Sequence, residues 1–348
     1  MPLSTKIRPM IGAFGTNRFM LQPQDRSALS KSAITTSKCS LPFRQEQQLG
    51  LSHLVTKIVA FTLRERRIYW RDLPCNPNGS NMEAKMKYVT SKDGTKLAYD
   101  VTGSGPPLIC ITGASCFRNF PPILKVVKVL SKHFTVYNYD RRGRGDSSDT
   151  APYSISKEVD DLEVLIDACG GKALLYGHSS GAVLALEAAL RLDEKIDQVI
   201  VYDPPYVHTK SDRAKYQALA AEVMKQLSQK NNKRAMKTFL SGIGMPKFFV
   251  LFLPLFPGWR EMHTLAPTLA YDIELTKDFP PLNRFKEIKI PTLVLVGSKS
   301  PESVRAVGEE IAKAIPAAAF EIIAGQDHLV NAKVLLPKFT RFFGTSKA

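Results

Sequence analysis

The chain has 348 residues, 44% of them hydrophobic, enough for one large core with appendages and too apolar for a wholly disordered polymer. It carries 48 Lys/Arg against 32 Asp/Glu, a net charge of +16, yet no basic stripe interleaved with aromatic platforms, so nucleic acid is not an expected partner. Five cysteines, odd in number, scattered and without a C-x-x-C pair, exclude a disulfide framework and argue against a zinc site, and no run reaches the roughly 18–20 apolar residues of a membrane span.

Residues 1–81 differ from the rest. They mix Ser, Thr, Gln and Pro with basic residues; the first acid is Asp25, and residues 1–82 hold 12 Lys/Arg against 4 Asp/Glu. Three expectations stand side by side for this basic N-terminal extension. It is a disordered arm, or a mitochondrial presequence over residues 1–40, or an upstream piece of a gene whose product starts at Met82. Residues 51–73 fit a basic amphipathic helix with Leu54, Ile58, Phe61, Arg64 and Ile68 near one side, suited to a membrane surface or to a solvated or docked appendage. No compact apolar core with a cleavage site marks a secretory signal, and the scattered cysteines fit a reducing compartment. The expected location is cytoplasmic, with mitochondrial as the alternative.

From Lys87 the pattern becomes globular. Short apolar segments at 88–90 and 97–101 flank a Lys-Asp-Gly turn. Buried strands are expected at 108–111, 135–139, 173–176, 198–202, 292–296 and 320–323, with amphipathic helices at 155–169, 180–192 and 302–315 between them. Strands alternating with helices imply α/β architecture, a mainly parallel sheet with helices on both faces. Residues 206–280 interrupt the alternation with helical stretches at 214–229 and 233–240 and a Pro-broken apolar piece at 245–259. They are expected to form a helical lid over a core made of 82–205 and 281–348.

The chemistry concentrates at residues 172–187, KALLYGHSSGAVLALE. A short apolar strand, a turn at Gly177–Gly181 and an Ala/Leu-rich helix form G-x-S-x-G in the strand–turn–helix setting it requires, which makes Ser179 the candidate nucleophile. A serine hydroxyl needs a base, and among six histidines His328, in the loop after the last strand, is the one placed to serve. The base needs an orienting carboxylate. An aspartate is expected where Ser300 stands, after the 292–296 strand; instead Asp203, at the end of the neighbouring strand, is the candidate, with Glu302 as the alternative. The candidate oxyanion donors are the backbone N–H groups of Ser180, after the nucleophile, and Ala114, after the first parallel strand.

Together, Gly177–Gly181, the YDRRGRGDS run at Tyr139–Ser147, the GQDH at Gly325–His328 and the Thr112-Gly113 pair after the first parallel strand resemble the α/β-hydrolase superfamily over about residues 86–345. The resemblance implies a cofactor-free serine hydrolase acting on a small-molecule ester or related acyl substrate. It also implies that the Asp-x-Arg-Gly loop, with Asp140 and Arg142, is structural. Two positions depart from the common pattern: Thr112 stands where most members have His, and the usual acid after the penultimate strand is missing. The latter motivates the alternative of a non-catalytic relative that binds a small apolar ligand.

Overall fold

The computed structural model describes residues 86–255 and 258–344. The readings made for residues 1–81, including His53 and the 51–73 helix, lie outside the described residues. Contacts divide the chain into Met1–Pro74 and Cys75–Ala348, and every described residue belongs to the second unit.

In chain order the elements are β1 (Lys87–Thr90), β2 (Lys96–Thr102), β3 (Pro107–Ile111), α1 (Pro121–Leu130), β4 (Thr135–Tyr139), α2 (Ile155–Ala168), β5 (Ala173–His178), α3 (Ser180–Arg191) and β6 (Ile196–Tyr202). Six helices follow before the next strand: α4 (Lys210–Ser228), α5 (Asn232–Gly242), α6 (Lys247–Phe252), α7 (Trp259–Thr264), α8 (Leu269–Thr276) and α9 (Leu282–Phe285). Then come β7 (Thr292–Gly297), α10 (Glu302–Ala314), β8 (Ala318–Ile323) and α11 (Ala332–Phe342).

The eight strands form one sheet in the order β1-β2-β4-β3-β5-β6-β7-β8. The β1–β2 and β2–β4 pairs are antiparallel and the other pairs parallel. Strand side chains alternate between two buried faces, as a period of two demands. Ile109, Ile111, Leu175, Val199 and Val201 pack with Leu162, Leu165, Val183 and Ile311 of α2, α3 and α10. Leu108, Leu174, Ile200 and Leu295 pack with Val127, Leu130 and Phe339 of α1 and α11 on the other face. Covering both faces makes the central strands continuous apolar runs, and that is why they were legible from sequence.

Local signals fix several boundaries. Ser154 caps α2 by accepting from Lys157 N at 3.2 Å. α4 starts at Lys210, one turn before the expected residue 214, because Thr209 and Asp212 form a reciprocal capping box ahead of the apolar residues. α1 and α11 were not anticipated: Pro121 and Pro122 open α1, and α11 carries Pro337 inside it, so proline obscured both.

The helices between β6 and β7 build their own small core. Val223, Met236, Phe239, Val250, Trp259, Leu269 and Ile273 form one buried cluster, and Ala114, from the loop after β3, packs against it. Ser115 in the same loop donates to the Met236 sulfur at 3.0 Å. The insertion therefore touches the loop that was singled out for oxyanion binding.

Candidate active site

The turn between β5 and α3 is sharp. Ser179 sits at φ 57°, ψ −128°, outside the usual range of an L-residue. Its N–H donates to Tyr202 O at 3.0 Å and its carbonyl accepts from Ala182 N at 2.7 Å, so both neighbours pin the strained residue. The flanking glycines are steric necessities. A Cβ on Gly177 would lie 2.4 Å from Gly181 O, and one on Gly181 would lie 2.2 Å from Ile111 O. Gly113 crosses above the turn, where a Cβ would meet the Ser179 Cβ at 2.8 Å. The Ser179 hydroxyl has no hydrogen-bond partner among the described residues.

His328 lies in the loop after β8, with its side chain 40% exposed, while the Asp203 side chain is wholly buried. The His328 Nδ1–H donates to Asp203 Oδ2 at 3.1 Å, which leaves Nε2 free to accept a proton. Asp203 takes up φ 48° at the end of β6, and its N–H donates to Leu295 O at 2.9 Å. Gly297 N donates to Asp203 Oδ1 at 3.0 Å, and the Ser300 hydroxyl donates to Oδ2 at 2.5 Å. Ser300 thus stands where an acid was expected and holds the carboxylate supplied by the strand beside it. Glu302, the other carboxylate considered, is exposed at the start of α10. No hydrogen bond or ion pair links it to His328.

The elbow also holds the histidine loop. His178 Nε2–H donates to the backbone carbonyl of His328 at 2.9 Å, and the Tyr202 hydroxyl donates to Asp327 O at 2.6 Å. The two imidazole centroids are 5.0 Å apart. These bonds bring the residue before Ser179 against the backbone of His328. Burial, reinforced by His328, pushes the His178 pKa down to about 4, so the ring is neutral when folded. An unfolded histidine titrates near 6.5, so between these values the unfolded chain binds the extra proton and folding weakens as pH falls. The contribution of His178 is complete above pH 6.5 and lost toward pH 4, worth roughly 3 kcal/mol across the window. Urea unfolding at pH 7 and pH 4.5 is expected to show a smaller pH-dependent loss for His178→Gln than for the wild type; an equal loss would contradict the assignment.

The loop after β3, which carries the candidate oxyanion donor Ala114, is held by arginines from the 140–147 segment. Arg144 Nη1–H donates to Gly113 O at 2.7 Å, and Arg141 Nη1–H donates to Thr112 O at 3.3 Å. Both guanidiniums converge on Asp272 of α8, at 2.8 and 2.9 Å, and Ser180 Oγ donates to the same carboxylate at 2.7 Å. Arg141 also forms a two-bond pair with Glu158 at 2.5 and 2.9 Å. All these charged side chains are buried. Burial alone would raise the Asp272 carboxyl; Arg144 and Arg141 outweigh it and hold it below the usual range, and Arg141 does the same for Glu158. Removing one partner of such a buried pair typically costs about 3–5 kcal/mol. The network joins the insertion, the helix after the elbow and both peptide units before Ala114. It does the pinning for which Thr112 offers no imidazole.

Asp272, Arg141, Arg144 and Ser300 were not found from sequence, and pairs 128 residues apart, such as Arg144 and Asp272, leave no local spacing signal. Arg142 pairs with Asp161 and Asp93, and Asp140 accepts from the backbone of Arg118 and Asp146. His208 lies 3.3 Å from Glu310 and His263 packs edge-on against Trp259; neither joins Ser179, Asp203 or His328. Burial pushes the thiols of Cys110 and Cys116 up to about 12 and 11, so both stay protonated and unreactive near neutrality. Among the described residues no cluster of three or more His, Cys, Asp or Glu could hold a metal ion, and no helix is long and apolar enough to cross a membrane.

A family model described as "Alpha/beta hydrolase family" matches residues 102–333, more than half of the chain. Among solved structures, the chain resembles an alpha/beta hydrolase from Sphaerobacter thermophilus at 37% identity and a TM-score of 0.67, covering 74% of this chain and 100% of that one. It is 26% identical over 242 residues to a 2-(acetamidomethylene)succinate hydrolase of Mesorhizobium japonicum, 66% of this chain and 84% of that protein. It is also 30% identical over 115 residues to the uncharacterized hydrolase YraK of Bacillus subtilis, a match spanning 32% of this chain and 42% of that protein.

Proposed function

This chain belongs to the alpha/beta hydrolase family, and from that premise we propose that it is a serine hydrolase cleaving an ester or related acyl substrate through an acyl-enzyme. The observation that carries the reading is the His328–Asp203 hydrogen bond at 3.1 Å, in a loop whose His328 carbonyl accepts from His178, the residue before Ser179, at 2.9 Å. An imidazole whose Nδ1–H is tied to a buried carboxylate presents a basic Nε2, as a hydroxyl nucleophile needs.

In this reading His328 Nε2 takes the hydroxyl proton as Ser179 Oγ attacks the acyl carbon. The negative oxygen of the tetrahedral intermediate is held by the N–H groups of Ala114 and Ser180. Collapse expels the leaving group, which takes the proton from His328, and leaves Ser179 acylated. Water, deprotonated by His328, then releases the acid and restores Ser179. Asp203 keeps the imidazole in the required tautomer and stabilises its cation. The insertion, residues 206–280, is the lid, and the Asp272 network couples it to the oxyanion loop. The Mesorhizobium relative is named for an amide-bearing substrate, so the acyl group need not be an ester.

The direct test is a fluorophosphonate probe, which phosphonylates an activated serine. Labelling of the folded protein at Ser179, mapped by peptide mass, with no labelling of Ser179→Ala, is the expected result. Folded wild type that resists the probe and turns over no member of an acyl ester panel would overturn the reading.

A further inference from the structure

The insertion exposes large apolar side chains on one side of a short helix. In α6, Phe248 is 48% exposed, Leu251 65% and Phe252 41%, and Leu255, in the turn after it, is 64% exposed. Phe248, Leu251 and Phe252, spaced i, i+3 and i+4, share one face of α6, and the exposed Leu255 follows in the turn that continues it. Val250 and Leu253 point the other way into the insertion's own cluster. The face is therefore additional to the residues that hold α6 in place.

Its electrostatic setting selects a partner. Residues 223–260 contain seven Lys/Arg and no Asp or Glu. Lys247 opens α6; Lys233 and Arg234 are exposed on α5, which packs against it; and Arg260 is exposed on α7, which packs on α5. None of these four forms an ion pair among the described residues. Elsewhere on the same unit basic side chains are commonly paired, as in Arg191–Asp160, Arg284–Glu187 and Arg341–Glu321.

A second copy docking through the same face would oppose two basic rims. Residues 51–73 of this chain are themselves net basic, with five Lys/Arg against two acids, so they match the rim no better. A nucleic acid would leave leucine and phenylalanine unburied. An anionic lipid surface satisfies both features, because acyl chains take the apolar face and acidic headgroups take the rim. We propose that the insertion docks on an anionic membrane surface through Phe248, Leu251, Phe252 and Leu255, with the surrounding Lys and Arg on the headgroups. The proposal does not depend on the chemistry of Ser179.

The test is flotation of the full chain with vesicles of phosphatidylcholine alone or containing roughly one-quarter phosphatidylglycerol. Binding is expected only to the anionic vesicles and is expected to weaken with added salt. The pair Leu251→Asp with Phe252→Asp, and separately Lys233→Glu with Arg234→Glu, should each lower the bound fraction about tenfold while leaving the unfolding temperature unchanged. The charge-reversal pair carries the test alone if the aspartate pair fails to fold. Equal binding to both vesicle types, or anionic binding untouched by the substitutions (which assigns it to the basic residues before 83), overturns the proposal. So does a dimer that the aspartate pair converts to monomer in sedimentation velocity, since that makes the face an interface between copies.

Discussion

Ser179→Ala is expected to lower turnover of an activated acyl ester about 10^5- to 10^6-fold, the scale on which a nucleophile is lost from a triad that acts as a unit. The change should leave the protein folded, and this makes the result interpretable. The Ser179 hydroxyl has no hydrogen-bond partner among the described residues, so its removal strands no buried polar group. The strain at φ 57° belongs to the backbone and is as tolerable for alanine as for serine. The unfolding temperature should therefore stay within about 2 °C of the wild type. A residual rate above water is expected, because the oxyanion donors remain. A variant that folds normally and keeps a tenth of the wild-type rate would show that Ser179 is not the attacking group.

Asp203→Asn is expected to lower kcat about 10^4-fold with KM changed far less. Three donors converge on this carboxylate: Gly297 N, the Ser300 hydroxyl and His328 Nδ1. An amide has one oxygen, so its NH2 must face at least one of them. If the oxygen stays with Gly297, the NH2 faces His328 and forces that ring to accept at Nδ1. Its proton then sits on Nε2, the atom meant to receive one from Ser179, and the base is lost. If the amide flips, Gly297 loses its acceptor at a fully buried position and the end of β7 is destabilised. Glu302→Gln serves as the contrast. That carboxylate is exposed and unconnected to His328, so its rate should remain within about twofold of wild type, the neutral outcome ordinary for surface changes. A large loss in Glu302→Gln with a mild effect in Asp203→Asn would reverse the assignment.

The two substitutions read out different kinds of legibility. The turn that makes Ser179 a candidate is legible from five residues, because the strand–turn–helix crossing demands glycine at 177 and 181, and that demand is local. Asp203 is legible only as a carboxylate at the end of a neighbouring strand, with Glu302 left beside it as an alternative. The role of Ser300 was not legible, since a serine in a loop looks the same whether it is solvated or holds an acid 97 residues away. The same holds for Thr112. From sequence it marked only the absence of a histidine; in the fold, Arg141 and Arg144 reach its peptide and that of Gly113 instead.

By itself the sequence determined the alternating strands and helices and the glycine-flanked turn at Ser179, and it offered Ser179, Asp203 and His328 as candidates in the order serine, acid, histidine. These follow from side-chain period, glycine sterics and turn chemistry, which act over a few residues. Tertiary structure alone decided that the carboxylate at the end of β6 takes hydrogen bonds from the histidine loop, from the end of β7 and from Ser300 together. It also decided that Asp272, from a helix beyond most of the insertion, closes a buried charge cluster against the loop after β3. A buried charge needs a partner in space, and nothing in the spacing along a chain says which partner the fold will bring to it.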